Sequence, residues 1–134
     1  MTYILDASAM IAFLRDETGA DVVSAALTDA DSNSVAHALN MCEVYYDFHR
    51  ASGESVAENA IEDLENLGVQ VSEALTGDVW RKAAEIKSIH RRVSLADCFA
   101  LTLAASLDAE LLTADHHELD ELVKYGICRI RFIR

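Results

Sequence analysis

The stretch YILDASAMIAFLRD, residues 3–16, determines how the rest of the chain is interpreted. Three apolar or aromatic residues, 3–5, lead directly into Asp6, and apolar residues at helical spacing follow. This order predicts a short buried strand, an acid at its carboxyl end, and then a helix. A carboxylate at the end of a buried strand is costly unless a partner compensates it. Asp6 is therefore the first candidate functional residue.

Strands and helices alternate along the remaining sequence. The strand-like segments are TYIL, SNSVA, VQVSE, AELLTAD and ICRIRFI, and the segments between them have helical apolar patterns. The last helical segment, HHELDELVKYG at residues 116–126, is predicted to be one helix. Alternation of this kind requires right-handed crossovers and a mainly parallel sheet that is covered on both sides. A length of 134 residues predicts a single domain over residues 1–134.

The net charge of −12 is unevenly distributed. Residues 1–80 contain 15 acids and two basic residues, whereas residues 81–134 contain eight acids and nine basic residues. Five of the nine form a cluster before the most apolar helix: Arg81, Lys82, Lys87, Arg91 and Arg92. This asymmetry permits a local polyanion-binding face on an acidic protein. The same charges are equally compatible with solvated helix surfaces.

Membrane segments and disulfides are not expected. No segment approaches the ~20 apolar residues that span a bilayer, and the first residues lack the basic region and cleavage site of a signal peptide. Cys42, Cys98 and Cys128 lie among apolar residues without a C-x-x-C pair, which is typical of reduced thiols. We therefore expect a cytoplasmic protein with no membrane partner.

Four acids are placed where a parallel sheet would bring them together. Asp6 and Asp115 each end an apolar strand, and such sheets bind ligands beyond the carboxyl ends of their strands. Glu43 lies one helical turn after Asn40, and Asp97 lies in the first turn of the most apolar helix. Carboxylates gathered in one crevice repel one another unless protons or a cation compensate them. Oxygen ligands of this kind favour Mg²⁺ or Mn²⁺.

Helix capping is an alternative explanation for the same acids. Ser94-x-x-Asp97 and Asp115-x-x-Glu118 both have the spacing of a capping box. Asp6 is also a suitable cap for the helix that follows it. For each acid taken alone, the sequence leaves capping and ligand binding open.

Four segments together resemble the PIN-domain ribonucleases, and in particular the VapC-type toxins of toxin–antitoxin pairs. They are ILDASAMIAFLRDETGADVV, NMCEVYYDF, SLADCFALTLAASLDAELLTAD and GICRIRFIR, and they span nearly the whole chain in the order of that family. The resemblance implies a three-layer α/β/α sandwich and a metal-dependent endoribonuclease. Its catalytic and metal-binding acids match Asp6, Glu43, Asp97 and Asp115, and its supporting polar positions match Ser8, Asn40 and Thr113.

The resemblance also implies a cofactor and partners. Mg²⁺, or Mn²⁺ in its place, would be held mainly by Asp6 and Asp97 and would activate water for attack on an RNA phosphate. A cognate antitoxin would cover the apolar helical segments SAMIAFL and MCEVYYDFH, and the chain would form a homodimer. The alternative within the same fold is a catalytically inactive module that binds RNA or protein.

Two further points concern a different enzyme class and three residues that follow the fourth acid. A phosphotransfer receiver or phosphatase would need a second acid beside the first strand, and Asp6-Ala7-Ser8 lacks it. His116, His117 and Asp120 follow the fourth acid closely, but adjacent residues on a helix point about 100° apart. The sequence does not decide whether any of these three contributes to the site.

Overall fold

Five strands form the centre of the structure, a computed structural model that describes residues 1–134. The strands are β1 (Thr2–Leu5), β2 (Asn33–His37), β3 (Val69–Ser72), β4 (Glu110–Thr113) and β5 (Arg129–Phe132). Their order across the sheet is β3-β2-β1-β4-β5, and every neighbouring pair is parallel. The predicted parallel α/β fold is confirmed.

Seven α-helices connect the strands. They are α1 (Ala7–Leu14), α2 (Ala20–Thr28), α3 (Ala38–Ser52), α4 (Glu54–Asn66), α5 (Gly77–Ile89), α6 (Leu95–Ser106) and α7 (His116–Leu119). The prediction of one helix over residues 116–126 is wrong, because α7 ends after four residues and a 3₁₀ helix follows over Asp120–Tyr125. Residues three apart eclipse one another in a 3₁₀ helix. Leu119, the last residue of α7, and Leu122, in the 3₁₀ helix, are both buried in the core.

The helices form one layer on each face of the sheet. Neighbouring residues of a strand point to opposite faces. Accordingly, Leu5 and Leu112 pack with buried residues of α1 to α4, whereas Ile4 and Leu111 pack with buried residues of α5 and α6. Eight of the twelve residues of α6 are buried, as its apolar sequence predicts. No helix, α6 included, has both the length and the apolar character needed to cross a membrane.

The strand order reverses at β1, and this reversal positions the candidate site. The chain proceeds from β1 to β2 and β3 on one side, and then returns to place β4 on the other side of β1. Leu5 lies opposite Leu112 in the register, and the N–H of Asp6 donates to the carbonyl of Leu112 at 3.3 Å. Open α/β sheets bind ligands at such a reversal, beyond the carboxyl ends of the strands.

Candidate active site

An open cavity of about 270 Å³ lies at the carboxyl ends of β1 and β4. The four acids singled out from the sequence all line it. Two acids that were not predicted as site residues line it as well, which gives the set Asp6, Glu43, Asp47, Asp97, Asp115 and Glu118. Carboxylate oxygens of Asp97, Asp115 and Glu118 lie within 4.8 Å of one another.

Asp6 is buried and only half satisfied. It caps α1, since its Oδ1 accepts hydrogen bonds from the N–H of Ala9 at 2.9 Å and from the hydroxyl of Ser8 at 2.7 Å. Its Oδ2 is also buried and has no hydrogen-bond partner. Burial raises the pKa of Asp6 to about 6, and the negative charge of Asp115 adds to the increase. Capping therefore uses one oxygen of this carboxylate and leaves the other available.

Two hydroxyls connect the ends of β1 and β4. Ser8 Oγ, besides donating to Asp6, accepts the N–H of Ala114 at 2.8 Å. Thr113 Oγ1 lies 3.3 Å from Ser8 Oγ and accepts the N–H of Asp115 at 3.0 Å. The hydroxyls thus fix the backbone on which Asp6 and Asp115 are carried.

Asp97 faces the cavity because the capping box at the start of α6 is only half formed. Ser94 Oγ accepts the N–H of Asp97 at 3.2 Å, as a cap should. The N–H of Ser94, however, donates to Oε2 of Glu118 at 3.1 Å instead of to Asp97. Burial raises the pKa of Asp97 to about 10, reinforced by a hydrogen bond with Glu118 and by the charge of Asp6.

The second capping box is incomplete in the same way. Asp115 Oδ1 accepts the N–H of Glu118 at 3.0 Å and caps α7. The reciprocal bond is absent, because the N–H of Asp115 donates to Thr113 and the Glu118 carboxylate reaches Ser94. Glu118 is thus a cavity residue that the sequence presented only as part of a cap.

Glu43 and Asn40 share a turn of α3 but occupy different environments. Glu43 lies at the solvent-exposed mouth, and partial burial together with the charges of Asp6, Glu118 and Asp115 raises its pKa. Asn40 is fully buried and does not line the cavity. Its Nδ2 donates to the carbonyl of Ala96 at 3.3 Å, beside Asp97, and its Oδ1 has no partner.

Asp47 differs from the other cavity acids because cations compensate it. Arg15 Nη2 lies 2.7 Å from its Oδ2, and Arg50 Nη2 lies 3.3 Å from its Oδ1. The exposed ring of Tyr46 stands next to it at the rim, with the Arg50 guanidinium 5.8 Å above the ring centroid. The negative charge of Asp47, at the edge of the cavity, is therefore compensated by arginines.

The three residues left open by the sequence lie outside the cavity. His116 stacks on Phe132, and its Nδ1 lies 2.7 Å from Oδ1 of the exposed Asp120. His117 Nδ1 lies 3.4 Å from Nη2 of Arg92, in a neighbouring cleft. None of the three lines the acidic cavity.

The oxygen atoms that line the cavity are suitable ligands for a hard divalent cation. No lysine, arginine or histidine is among the lining residues, so apart from Asp47 the carboxylates face one another without a cationic side chain. The unpartnered, buried Oδ2 of Asp6 and the cluster of Asp97, Asp115 and Glu118 supply oxygen ligands only. Carboxylate and hydroxyl oxygens without thiolate or imidazole select Mg²⁺ or Mn²⁺.

Comparison with known proteins identifies one family. The sequence pattern of the PIN domain family matches residues 3–124. No curated protein matches the chain in a sequence search.

Several solved structures share the fold. VapBC2 from Rickettsia felis, bound to a promoter DNA fragment, has a TM-score of 0.72 and 11% identity, with 98% of each chain covered. VapBC-1 from nontypeable Haemophilus influenzae has a TM-score of 0.73 and 18% identity, over 99% of this chain and 98% of that chain. VapC20 from Mycobacterium tuberculosis, described as a sarcin-ricin loop cleaving toxin, has a TM-score of 0.70 and 15% identity, over 89% and 94%.

Proposed function

The chain belongs to the PIN domain family, and we propose that it is a Mg²⁺-dependent endoribonuclease that acts as the toxin of a toxin–antitoxin pair. The observation that carries this proposal is the cavity at the ends of β1 and β4, where five carboxylates converge without a cationic side chain to compensate them. Groups with strongly shifted pKa values gathered in a cleft are typical of catalytic sites.

The proposed metal ligands are the acids of this cavity. Asp6, through its free Oδ2, and Asp97 would be the principal ligands, and Asp115 and Glu43 would complete the set. Glu118 joins this set because its carboxylate lies beside those of Asp97 and Asp115. When bound, Mg²⁺ lowers the pKa of water and neutralises negative charge on a phosphate, and Mn²⁺ provides the same chemistry.

Three polar residues are proposed to position the ligands. Ser8 and Thr113 hold the backbone around Asp6 and Asp115 through the hydroxyl network. Asn40 would orient Asp97 through its hydrogen bond to the carbonyl of Ala96. Residues of this kind, which contact ligands and not the metal, commonly change metal affinity or activity by about 10- to 100-fold.

The proposed reaction is hydrolysis of an RNA phosphodiester bond. Water attacks the phosphorus in line with the departing ribose oxygen, so one P–O bond forms, one breaks, and the departing oxygen gains a proton. The cavity opens to solvent at Glu43 and Tyr46, which gives a strand access to the buried acids. VapC20, which shares the fold, is described as a sarcin-ricin loop cleaving toxin, and this supports RNA as the substrate.

An antitoxin partner and a homodimer complete the proposal. The fold is shared with VapBC structures from several bacteria, which supports a cognate antitoxin for this chain. A basic side chain of that partner would find charge-assisted hydrogen bonds in the acidic cavity. We propose a cytoplasmic protein whose single PIN-like domain spans residues 1–134.

Cleavage of labelled structured RNA tests the proposed function. We expect cutting in Mg²⁺, none in EDTA, and none by the Asp6→Asn variant, which keeps the size and the capping oxygen of the side chain. Asp108→Asn is the matched control, because Asp108 is exposed and lies far from the cavity in the loop before β4. Full activity of folded Asp6→Asn would contradict the proposal. Tight RNA binding by the unsubstituted protein without Mg²⁺-dependent cutting would favour the inactive binding module.

A further inference from the structure

A second cleft adjoins the acidic cavity and, unlike it, has arginines among its lining residues. It has a volume of about 210 Å³ and lies between the loop that precedes α6 and the helical turns that follow β4. Glu118 lines both the cleft and the acidic cavity, so the two lie side by side at this residue. Two adjacent cavities of this kind can hold neighbouring parts of one chain-like ligand.

The loop that forms one wall of the cleft is held rigidly from below. Lys87 Nζ donates to the carbonyl of Arg91 at 2.8 Å and to the carbonyl of Val93 at 2.7 Å, and Val93 is buried in the core. The side chains of Arg91 and Arg92 are exposed on this loop. Lys87 thus has a structural role, and the two arginines are presented to the cleft on a fixed backbone.

Neither arginine is neutralised within the molecule. Arg15, Arg50, Arg129 and Arg134 each pair with a carboxylate, whereas Arg91 and Arg92, like Arg81 and Arg131, form no ion pair. Arg92 instead donates through Nη2 to Nδ1 of His117 at 3.4 Å.

Two acids line the cleft as well, and neither pairs with these arginines. Glu118 Oε2 accepts the N–H of Ser94, and Glu121 is exposed. In a chain with a net charge of −12, arginines that bypass available acids remain free to bind an anion from outside.

An aromatic pair also lines the cleft. Tyr125 and His90 pack edge to face with their ring centroids 4.5 Å apart. Tyr125 is 55% exposed, and Lys124 Nζ lies 5.5 Å from its ring centroid. Guanidinium groups beside an accessible aromatic ring are the combination that binds single-stranded nucleic acid, through phosphate and base together.

We propose that this cleft is a subsite for the RNA backbone, in which Arg92 and Arg91 bind a phosphate that flanks the scissile one and Tyr125 stacks on a base. The proposal rests on the proposed nuclease function for its substrate. Arg92 and Arg91 are positioning residues, since they hold the strand in register with the acids and do not touch the reacting atoms. Glu118 marks the boundary between the strand-holding and the reacting parts of the site.

The first test measures binding of a short fluorescein-labelled single-stranded RNA of mixed sequence in EDTA, by anisotropy over a series of salt concentrations. We expect Arg92→Gln to weaken binding about tenfold and to reduce the salt slope by about 0.7, the value for one lost contact to a single strand. Arg92→Lys should restore most of the slope because it keeps the charge. Arg129→Gln, which removes the same charge near the opposite edge of the sheet, should leave both quantities unchanged.

The second test measures cleavage kinetics in Mg²⁺. A positioning role predicts that Arg92→Gln raises KM about tenfold and changes kcat little, and that Arg91→Gln acts in the same direction. An unrelated polyanion site would leave KM unchanged. Equal RNA affinity and salt slope in Arg92→Gln and the unsubstituted protein would overturn the subsite.

Failure of the subsite and failure of the nuclease function give different results. If the unsubstituted protein cuts RNA but Arg92→Gln binds and cuts normally, the subsite is wrong and the nuclease stands. If the protein binds RNA through Arg92 but never cuts it in Mg²⁺, the cleft is an RNA-binding site and the nuclease function is wrong. Absence of any RNA binding by the unsubstituted protein also overturns the subsite.

Discussion

Acids at the two edges of the sheet have opposite environments. At the carboxyl edge, burial raises the pKa of Asp6 to about 6, and one of its carboxylate oxygens has no partner. At the amino edge, hydrogen bonds from Ser32 and from the N–H of Asp31 lower the pKa of Asp29, and Asp108 pairs with Arg129 at 3.1 Å. The same side-chain chemistry is thus compensated locally at one edge and left uncompensated at the other.

This contrast shows that the carboxyl edge is where burial of uncompensated acids lowers the stability of the fold. Proteins commonly violate local rules of polar satisfaction at functional sites and retain them elsewhere. The half-formed capping boxes are an instance, since Asp97 and Glu118 could have closed their own boxes but turn to the cavity instead. The carboxyl edge therefore has the properties expected of a site that needs a ligand.

The largest expected effect is that of Asp97→Asn. We expect RNA cleavage to fall by more than about a hundredfold, since residues that only support metal ligands already cost about 10- to 100-fold. The metal-free protein should become more stable at the same time, because a buried carboxyl with a raised pKa is replaced by a neutral amide. Cleavage rates and urea unfolding in EDTA measure the two effects. Loss of both activity and stability would indicate misfolding and would contradict this prediction.

The second largest effect is expected in the pH dependence of stability in EDTA. The raised pKa values of Asp6 and Asp97 mean that the folded state binds more protons than the unfolded state. The free energy of unfolding should then decrease as the pH rises from about 4 through about 6 for Asp6, and further towards about 10 for Asp97. Urea unfolding at a series of pH values measures it. Asp6→Asn should make this decrease shallower between about pH 4 and about pH 6, where Asp6 and Asp97 both contribute, and leave the decrease at higher pH, which comes from Asp97. An unchanged profile would show that burial does not raise the pKa of Asp6.

A smaller effect is expected for Ser8→Ala. The change removes the hydroxyl that donates to Asp6 and leaves the N–H of Ala114 without its partner. We expect cleavage to fall about 10- to 100-fold and stability to fall by about 1–3 kcal/mol. Ser106→Ala removes a hydroxyl near the opposite edge, where it donates to a helix carbonyl at 2.9 Å, and should not change cleavage. Equal cleavage by the two variants would refute a supporting role for Ser8.

The smallest effect is expected for Asp108→Asn. Asp108 has a positive φ of 49°, which asparagine adopts readily, and its ion pair with Arg129 is exposed to solvent. Exposed pairs contribute about 0–1 kcal/mol, so stability should stay within about 0.5 kcal/mol of the unsubstituted protein. Thermal unfolding measures it. A change in stability as large as that of Asp97→Asn would contradict the proposed difference between the two edges of the sheet.

The positions of Asp6 and Asp115 could be predicted from the sequence because parallel strands impose them. An apolar strand that ends in an acid places that acid at the carboxyl edge, and neighbouring strands then bring two such acids together. Glu43 and Asp97 could not be placed by this rule, because they lie on helices whose rotation depends on packing. They were singled out as acids that fit the same crevice and as matches to the acids of PIN-domain ribonucleases, and the structure places both at the cavity.

Glu118 was missed because its sequence context describes a different hydrogen bond from the one it makes. The spacing Asp115-x-x-Glu118 predicts a local cap, whereas the carboxylate of Glu118 accepts the N–H of Ser94, 24 residues earlier in the chain. The 3₁₀ helix after α7 was also missed, and its Leu122 and the preceding Leu119 pack in the core with residues of α5 and α6. Both features depend on contacts between distant segments, which local patterns do not contain.

The central claim is that the carboxylates of the cavity act together to bind one kind of ligand, a divalent cation. Binding of Mn²⁺, followed by electron paramagnetic resonance of the free ion, tests this claim without RNA or a partner. We predict saturable binding by the unsubstituted protein and by Asp108→Asn, and at least about a tenfold weaker affinity for Asp97→Asn, equivalent to about 1.4 kcal/mol. Equal Mn²⁺ affinity in Asp97→Asn and the unsubstituted protein would contradict the account.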